Sequence, residues 1–161
     1  MNGHLVAGIV WLALIAAGYV AFDYATQPAA VAGCEDGDSS QVLRLAAAHD
    51  GHYYVDGAID GKPVRFVVDT GATTVTVGGP DATRIGLPEG DPAGFRTAAG
   101  NISGRVVRGR SVRAGCFDLS GLSVAVSPPM AGSALLGQNF LRHFEVTMSD
   151  GTMVLRPRPG R

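Results

Sequence analysis

Two textures divide the chain. Residues 5–22 form an apolar run with no charged side chain, close to the shortest stretch that crosses a bilayer as a helix. From His52 onward the apolar residues come in short runs separated by Gly, Asp, Asn and Pro, the pattern of strands and turns. Tyr53-Tyr54-Val55 and Ala58-Ile59 lead into Asp60-Gly61, a strong hairpin turn, and residues 64–68 return as the strand that ends on Asp69. Val75-Thr76-Val77 is another strand, stopped by Gly78-Gly79-Pro80, and Asp81 is placed to cap a short helix through Arg84. Residues 95–107 read as two arms around Ala99-Gly100-Asn101, or around Ser103-Gly104. Short strands are expected at 112–114, 117–119 and 122–126, a short helix at 139–144, and a closing hairpin around Ser149-Asp150-Gly151. Many short strands at this spacing predict an all-β barrel or sandwich.

The division into parts follows from the same pattern. Residues 1–22 are expected as an N-terminal transmembrane anchor, 23–48 as a linker, 49–157 as one β-rich domain and 158–161 as a tail. Gln27-Pro28-Ala29-Ala30 and the Gly-, Asp- and Ser-rich run at 33–40 have linker composition. Residues 42–48 read equally well as a short helix or a first strand. The apolar run has no polar face, which argues against a core helix. It lacks a basic n-region and a clear small-residue cleavage site, which argues against a removed signal peptide. No Lys or Arg precedes it, and Asp23, Glu35, Asp36 and Asp38 follow. The expectation is a single-pass inner-membrane protein with its domain in the periplasm or otherwise outside the cytoplasm.

Charge and composition remove several classes. A net charge of −1 offers nothing to nucleic acid. Glycine occurs 23 times and lysine is almost absent, which suits a turn-rich β protein rather than a helical bundle. Cys34, Cys116 and the four histidines show no metal-ligand spacing, so no metal or other cofactor is expected. The two cysteines either pair in an oxidising compartment or leave Cys116 buried and Cys34 unpaired. No Gly-x-Ser-x-Gly elbow, phosphate loop or dinucleotide fingerprint is present.

One position stands out chemically. Asp69 follows Phe66-Val67-Val68, and a carboxylate after buried β-formers is costly unless it is hydrogen-bonded or used. Thr70 adds a hydroxyl donor, and Gly71 lets the chain turn so that its N–H faces the carboxylate. The other acids, Asp56, Asp60, Asp81, Asp118 and Asp150, adjoin glycines or sit at cap and turn positions, and read as turn formers.

Phe66-Val67-Val68-Asp69-Thr70-Gly71-Ala72, followed downstream by Ala134-Leu135-Leu136-Gly137-Gln138-Asn139, resembles the retropepsin-like aspartic proteases, and most closely their membrane-anchored bacterial single-domain members. The resemblance spans roughly residues 51–155 and implies a retropepsin-like closed barrel or sandwich protomer with one short helix. Asp69, Thr70 and Gly71 would be catalytic. Ala72, Ala99 and Gly100 would meet substrate, the last two on a flap within 95–107. Leu136 and Gly137 would support the catalytic turn from beneath. The resemblance further implies a homodimer, because two carboxylates must share one proton and each chain supplies one. The substrate would be a polypeptide. A retropepsin fold that binds peptide or dimerises without turnover is the alternative, and a β-rich exported structural domain a third reading.

Overall fold

Alternation sets the strands of this chain, and register sets what they carry. The computed structural model describes residues 10–18, 32–36, 41–97 and 100–158. In chain order the elements are helix α1 (10–18), strands β1 (Ala32–Asp36), β2 (Gln41–Ala46), β3 (Tyr54–Ile59), β4 (Lys62–Val68) and β5 (Val75–Gly78), and helix α2 (Gly79–Arg84). Strands β6 (Asp91–Thr97), β7 (Gly100–Ala114), β8 (Phe117–Ser127) and β9 (Ala134–Leu136), helix α3 (Gln138–Leu141), and strands β10 (Phe144–Ser149) and β11 (Thr152–Pro157) complete them.

The larger sheet runs β3-β4-β9-β5-β8-β7-β6. Strand β3 also pairs with β7, from Gly57↔Ala114 to Ile59↔Val112, so the sheet closes into a barrel with β6 as an outer hairpin arm. Closure removes most open edges, the common solution for a small antiparallel domain. A smaller sheet runs β1-β2-β11-β10. Its Leu43, Leu45, Met153 and Leu155 are buried in the same core as Phe66, Val75, Val124 and Phe140 of the barrel side. Phe144 joins the two layers, 4.6 Å from Phe117 and 5.3 Å from Phe140 between ring centroids.

Several expectations change. The stretch expected as a linker contains β1 and β2, and Leu43 and Leu45 are fully buried on either side of Arg44. Their apolar area is what draws the stretch into the domain. Two short helices, α2 and α3, stand where the resemblance implies one. Helix α2 is capped by Gly78 rather than Asp81. Pro80 fits its first turn, and Asp81 instead accepts from Arg84 Nη2 at 2.8 Å. Residues 112–114 and 117–126 form no separate short strands but belong to the long β7 and β8. Gly109, at φ 70°, sits where the β7–β8 register shifts between Val107 and Arg110. This glycine marks a bulge in a continuing strand, not a break.

The two cysteines pair. A Cys34–Cys116 disulfide, with Cα atoms 6.0 Å apart, ties β1 of the smaller sheet to the β7–β8 turn of the barrel. Part of the expected anchor over 5–22 lies outside the described residues. Its described portion, α1, exposes Val10, Trp11, Leu12, Leu14 and Ile15. Among the described residues no helix is long and apolar enough to cross a membrane.

Candidate active site

Strand β4 delivers Asp69 to the end of a barrel strand, with Val68 buried just before it. The chain then reverses. Gly71 N–H donates to Asp69 Oδ1 at 2.8 Å and Ala72 N–H donates to the same oxygen at 3.2 Å. Ala72 N–H also reaches the Asp69 carbonyl at 3.3 Å. Two backbone donors on one carboxylate oxygen fix its orientation. Asp69 is half-buried, while Thr70 and Gly71 are exposed. The Asp69 carboxylate, on an outward-facing turn, is therefore held from behind by its own loop.

Strand β9 lies beneath that turn. It pairs in parallel with β4 (Phe66↔Ala134, Val67↔Leu135, Val68↔Leu136) and meets β5 at Thr76↔Leu135. Asp69 N–H donates to the Leu136 carbonyl at 3.2 Å. Leu136 is fully buried, so the anchoring carbonyl sits on a rigid strand. Gly137 has extended backbone (φ −89°, ψ −177°) that any residue adopts. Space is what demands glycine there: a Cβ would lie 2.5 Å from the Thr74 carbonyl oxygen and 2.8 Å from that of Ala72.

The first N–H groups of a helix lack intrahelical partners. In α3 the loop after Asp69 supplies them. Gln138 N–H donates to the Ala72 carbonyl at 2.8 Å, and Asn139 N–H to that of Thr73 at 3.0 Å. Side chains extend the clamp. Asn139 Oδ1 accepts from Val75 N–H at 2.8 Å and its Nδ2 donates to the Ser123 carbonyl at 2.7 Å, bridging β5 and β8. Gln138 Nε2 donates to the Thr70 carbonyl at 2.9 Å. Beside these residues opens a cleft of about 380 Å³ lined by Thr73, Thr74, Ser123, Gln138, Asn139 and Arg142.

The structure thus brings Asp69, Thr70, Gly71, Ala72, Leu136 and Gly137 together. Gly100 belongs to another element: it opens β7 opposite Thr97 at the tip of the β6–β7 hairpin. The pairs Arg96↔Asn101 and Thr97↔Gly100 favour the first of the two hairpin registers expected, and Ala99 itself lies outside the described residues. Gln138 and Asn139 are the site residues that sequence reasoning left without a role. Their only signal was position, directly after the Leu-Leu-Gly run.

Other acids sit in turns and strands. Asp60 and Asp150 hold turns with φ 49° each, and Asp60 Oδ1 accepts from Ser111 N–H at 3.0 Å. Asp56 and Asp118 lie within β3 and β8 rather than in turns. Asp50 accepts the Tyr54 hydroxyl at 2.7 Å and His52 N–H at 3.0 Å. The Tyr54 bond first, then the His52 amide, holds Asp50 below the usual carboxylate range, and the same bond pushes the Tyr54 phenol up. Among the described residues no three His, Cys, Asp or Glu side chains gather as a metal site.

Comparison with known proteins agrees with this geometry. The profile of the family described as gag-polyprotein putative aspartyl protease matches residues 55–143. A protein of Sinorhizobium sp, described as an uncharacterized protein in the cobV 5' region, is 28% identical over 118 residues. That match covers 69% of this chain and 49% of the relative, so the chain spans about half the length of the curated relative it matches. Among solved structures, the crystal structure of a retropepsin-like aspartic protease from Rickettsia conorii superposes with a TM-score of 0.61 at 23% identity. The superposition covers 76% of this chain and 93% of that one, and at such identity the likeness concerns the fold.

Proposed function

The chain belongs to the family of gag-polyprotein putative aspartyl proteases, and from that premise we propose that it is a membrane-tethered aspartic endopeptidase, active as a homodimer. The observation that carries the reading is Asp69 itself. Its carboxylate is half-buried, oriented by Gly71 and Ala72 N–H groups, and braced by β9 and α3.

Peptide hydrolysis by this chemistry needs two carboxylates. One, ionised, takes a proton from the attacking water, while the other, protonated, donates to the scissile carbonyl. Two carboxylates a few ångströms apart share a single proton because like charges resist joint ionisation. This chain has a single Asp-Thr-Gly. The second carboxylate is therefore the Asp69 of another copy across a two-fold axis. Thr70 of each chain would stiffen the paired loops, and Ala72 would line the cleft. The β6–β7 hairpin, with Gly100 at its tip, would fold over a bound peptide.

Tethering is supported by the apolar residues that α1 exposes, within a run of 5–22 that carries no charge. An extracytoplasmic site for the domain is supported by the Cys34–Cys116 bond, since disulfides persist in oxidising compartments. The experiment is cleavage of an unstructured protein by the purified chain, beside Asp69→Asn. Cleavage that the variant lacks supports the reading. Equal cleavage by both overturns Asp69 as the catalytic group, and cleavage by neither favours a silent peptide-binding module.

A further inference from the structure

We propose that Gln138 is a positioning residue for catalysis, acting on the Asp69 carboxylate through a single peptide unit. The Thr70–Gly71 peptide presents two polar groups in opposite directions. Its N–H donates to Asp69 Oδ1 at 2.8 Å. Its carbonyl accepts from Gln138 Nε2 at 2.9 Å. The amide end facing a carbonyl oxygen has to be the NH₂ group, so the direction of this bond is set by chemistry. A chain of hydrogen bonds thus runs from Gln138 through Thr70–Gly71 to the carboxylate.

Such a chain acts in two ways. A donor on the carbonyl polarises the peptide and strengthens the bond that its N–H makes to the carboxylate. It also fixes the plane of the peptide, and with it the aim of the N–H. Gln138 is itself held, because its backbone N–H is bonded to the Ala72 carbonyl at 2.8 Å. Backbone and side chain of one residue therefore grip the catalytic turn on both sides of Gly71. Thr70 and Gly71 are exposed, so no packing replaces this grip. Gln138 contacts the turn through the Thr70 and Ala72 carbonyls, and its effect on the carboxylate passes through the peptide.

This inference rests on the proposed protease activity, and its test keeps the two apart. The whole 161-residue chain is compared with Gln138→Met, which keeps the length of the side chain and loses the donor. Loss of one such bond is expected to lower kcat about three- to tenfold, with KM little changed. The Gly71 amide ¹⁵N and ¹H resonances should move upfield as its bond to Asp69 weakens. Gln138→Glu adds a titration. Ionised, Glu has no donor for the Thr70 carbonyl; protonated, its O–H supplies one. The activity of this variant relative to wild type should rise as pH falls through the carboxyl range. Unchanged kcat and unchanged Gly71 resonances in Gln138→Met overturn the proposal. A merely structural role would lower Tm while leaving kcat per folded molecule and the Gly71 resonances as in wild type, and that result overturns it too. If the wild-type chain cleaves no peptide, the protease reading fails, and the Gly71 resonances still decide whether Gln138 controls the peptide.

Discussion

Replacing Gly137 by Ala probes how tightly the support is fitted to the Asp69 turn. The backbone there is unstrained for any residue, so the whole effect comes from one methyl group. Its Cβ would meet the Thr74 and Ala72 carbonyl oxygens at 2.5 and 2.8 Å. Reaching ordinary contact at 3.4 Å requires the strand and the loop to part by about 0.6–0.9 Å. Neither obstacle is a flexible side chain. The Ala72 carbonyl is bonded to Gln138 N–H, and Thr74 leads directly into the buried β5. Separation therefore moves the 69–74 loop as a body or breaks its bonds to α3. Overpacking of this kind costs about 1–3 kcal/mol, a fall in Tm of roughly 4 °C per kcal/mol for a domain of this size. Displacing a catalytic carboxylate by most of an ångström costs activity about 10- to 100-fold. Urea titration gives the stability change from the midpoint at constant slope, and kcat is measured on the folded fraction. Gly33→Ala, where an added Cβ meets nothing within 4 Å, serves as the neutral comparison. A Gly137→Ala chain with wild-type midpoint and wild-type kcat would refute the close fit of β9 and α3 under the turn.

Three further outcomes are expected. Asn139→Ala leaves Val75 N–H and the Ser123 carbonyl without their partner, and should lower stability by about 1–3 kcal/mol in a urea melt. Reducing the Cys34–Cys116 bond opens a loop of 82 residues, which chain entropy converts to roughly 4 kcal/mol of lost stability; a reduced chain that melts like the oxidised one contradicts this. Asp50 has its pKa lowered by the Tyr54 hydroxyl, so its contribution is present above the unfolded value of about 3.9 and is lost as pH falls through the lower folded value. Wild type should be more stable than Asp50→Asn at neutral pH, and the difference should close in acid; a gap that is constant from pH 7 to pH 2 would contradict the linkage.

Local signals in the sequence were reliable where one turn governs two neighbouring strands. Asp60-Gly61 placed β3 and β4, and the residues after Val68 placed the turn that returns on Asp69. Long-range pairing was not legible. Nothing local in residues 43–46 says that they pair with 152–155, more than a hundred positions away, so the alternation of Leu43 and Leu45 around Arg44 left a short helix and a first strand equally open, and β2 takes the second. The Gly-rich acidic run around Cys34 has the composition of a connector, yet a ladder to β2 and a disulfide hold it. At the site, Asp69, Gly71 and Gly137 were singled out by residue type and position, and at Gly137 the packing demands that type. Gln138 was not, since an exposed glutamine opening a helix carries no mark of the carbonyl it faces.

The central claim, that each chain holds half of a catalytic pair, is tested most directly by mixing. A fixed amount of wild-type chain is exchanged with a ninefold excess of Asp69→Asn chain, and peptide cleavage is measured once the subunits have equilibrated. If the site is shared, wild-type chains pair mostly with inactive partners and cleavage falls to about one-tenth. Cleavage that stays constant as the variant is added would mean that a single chain carries a complete site, and would contradict the account.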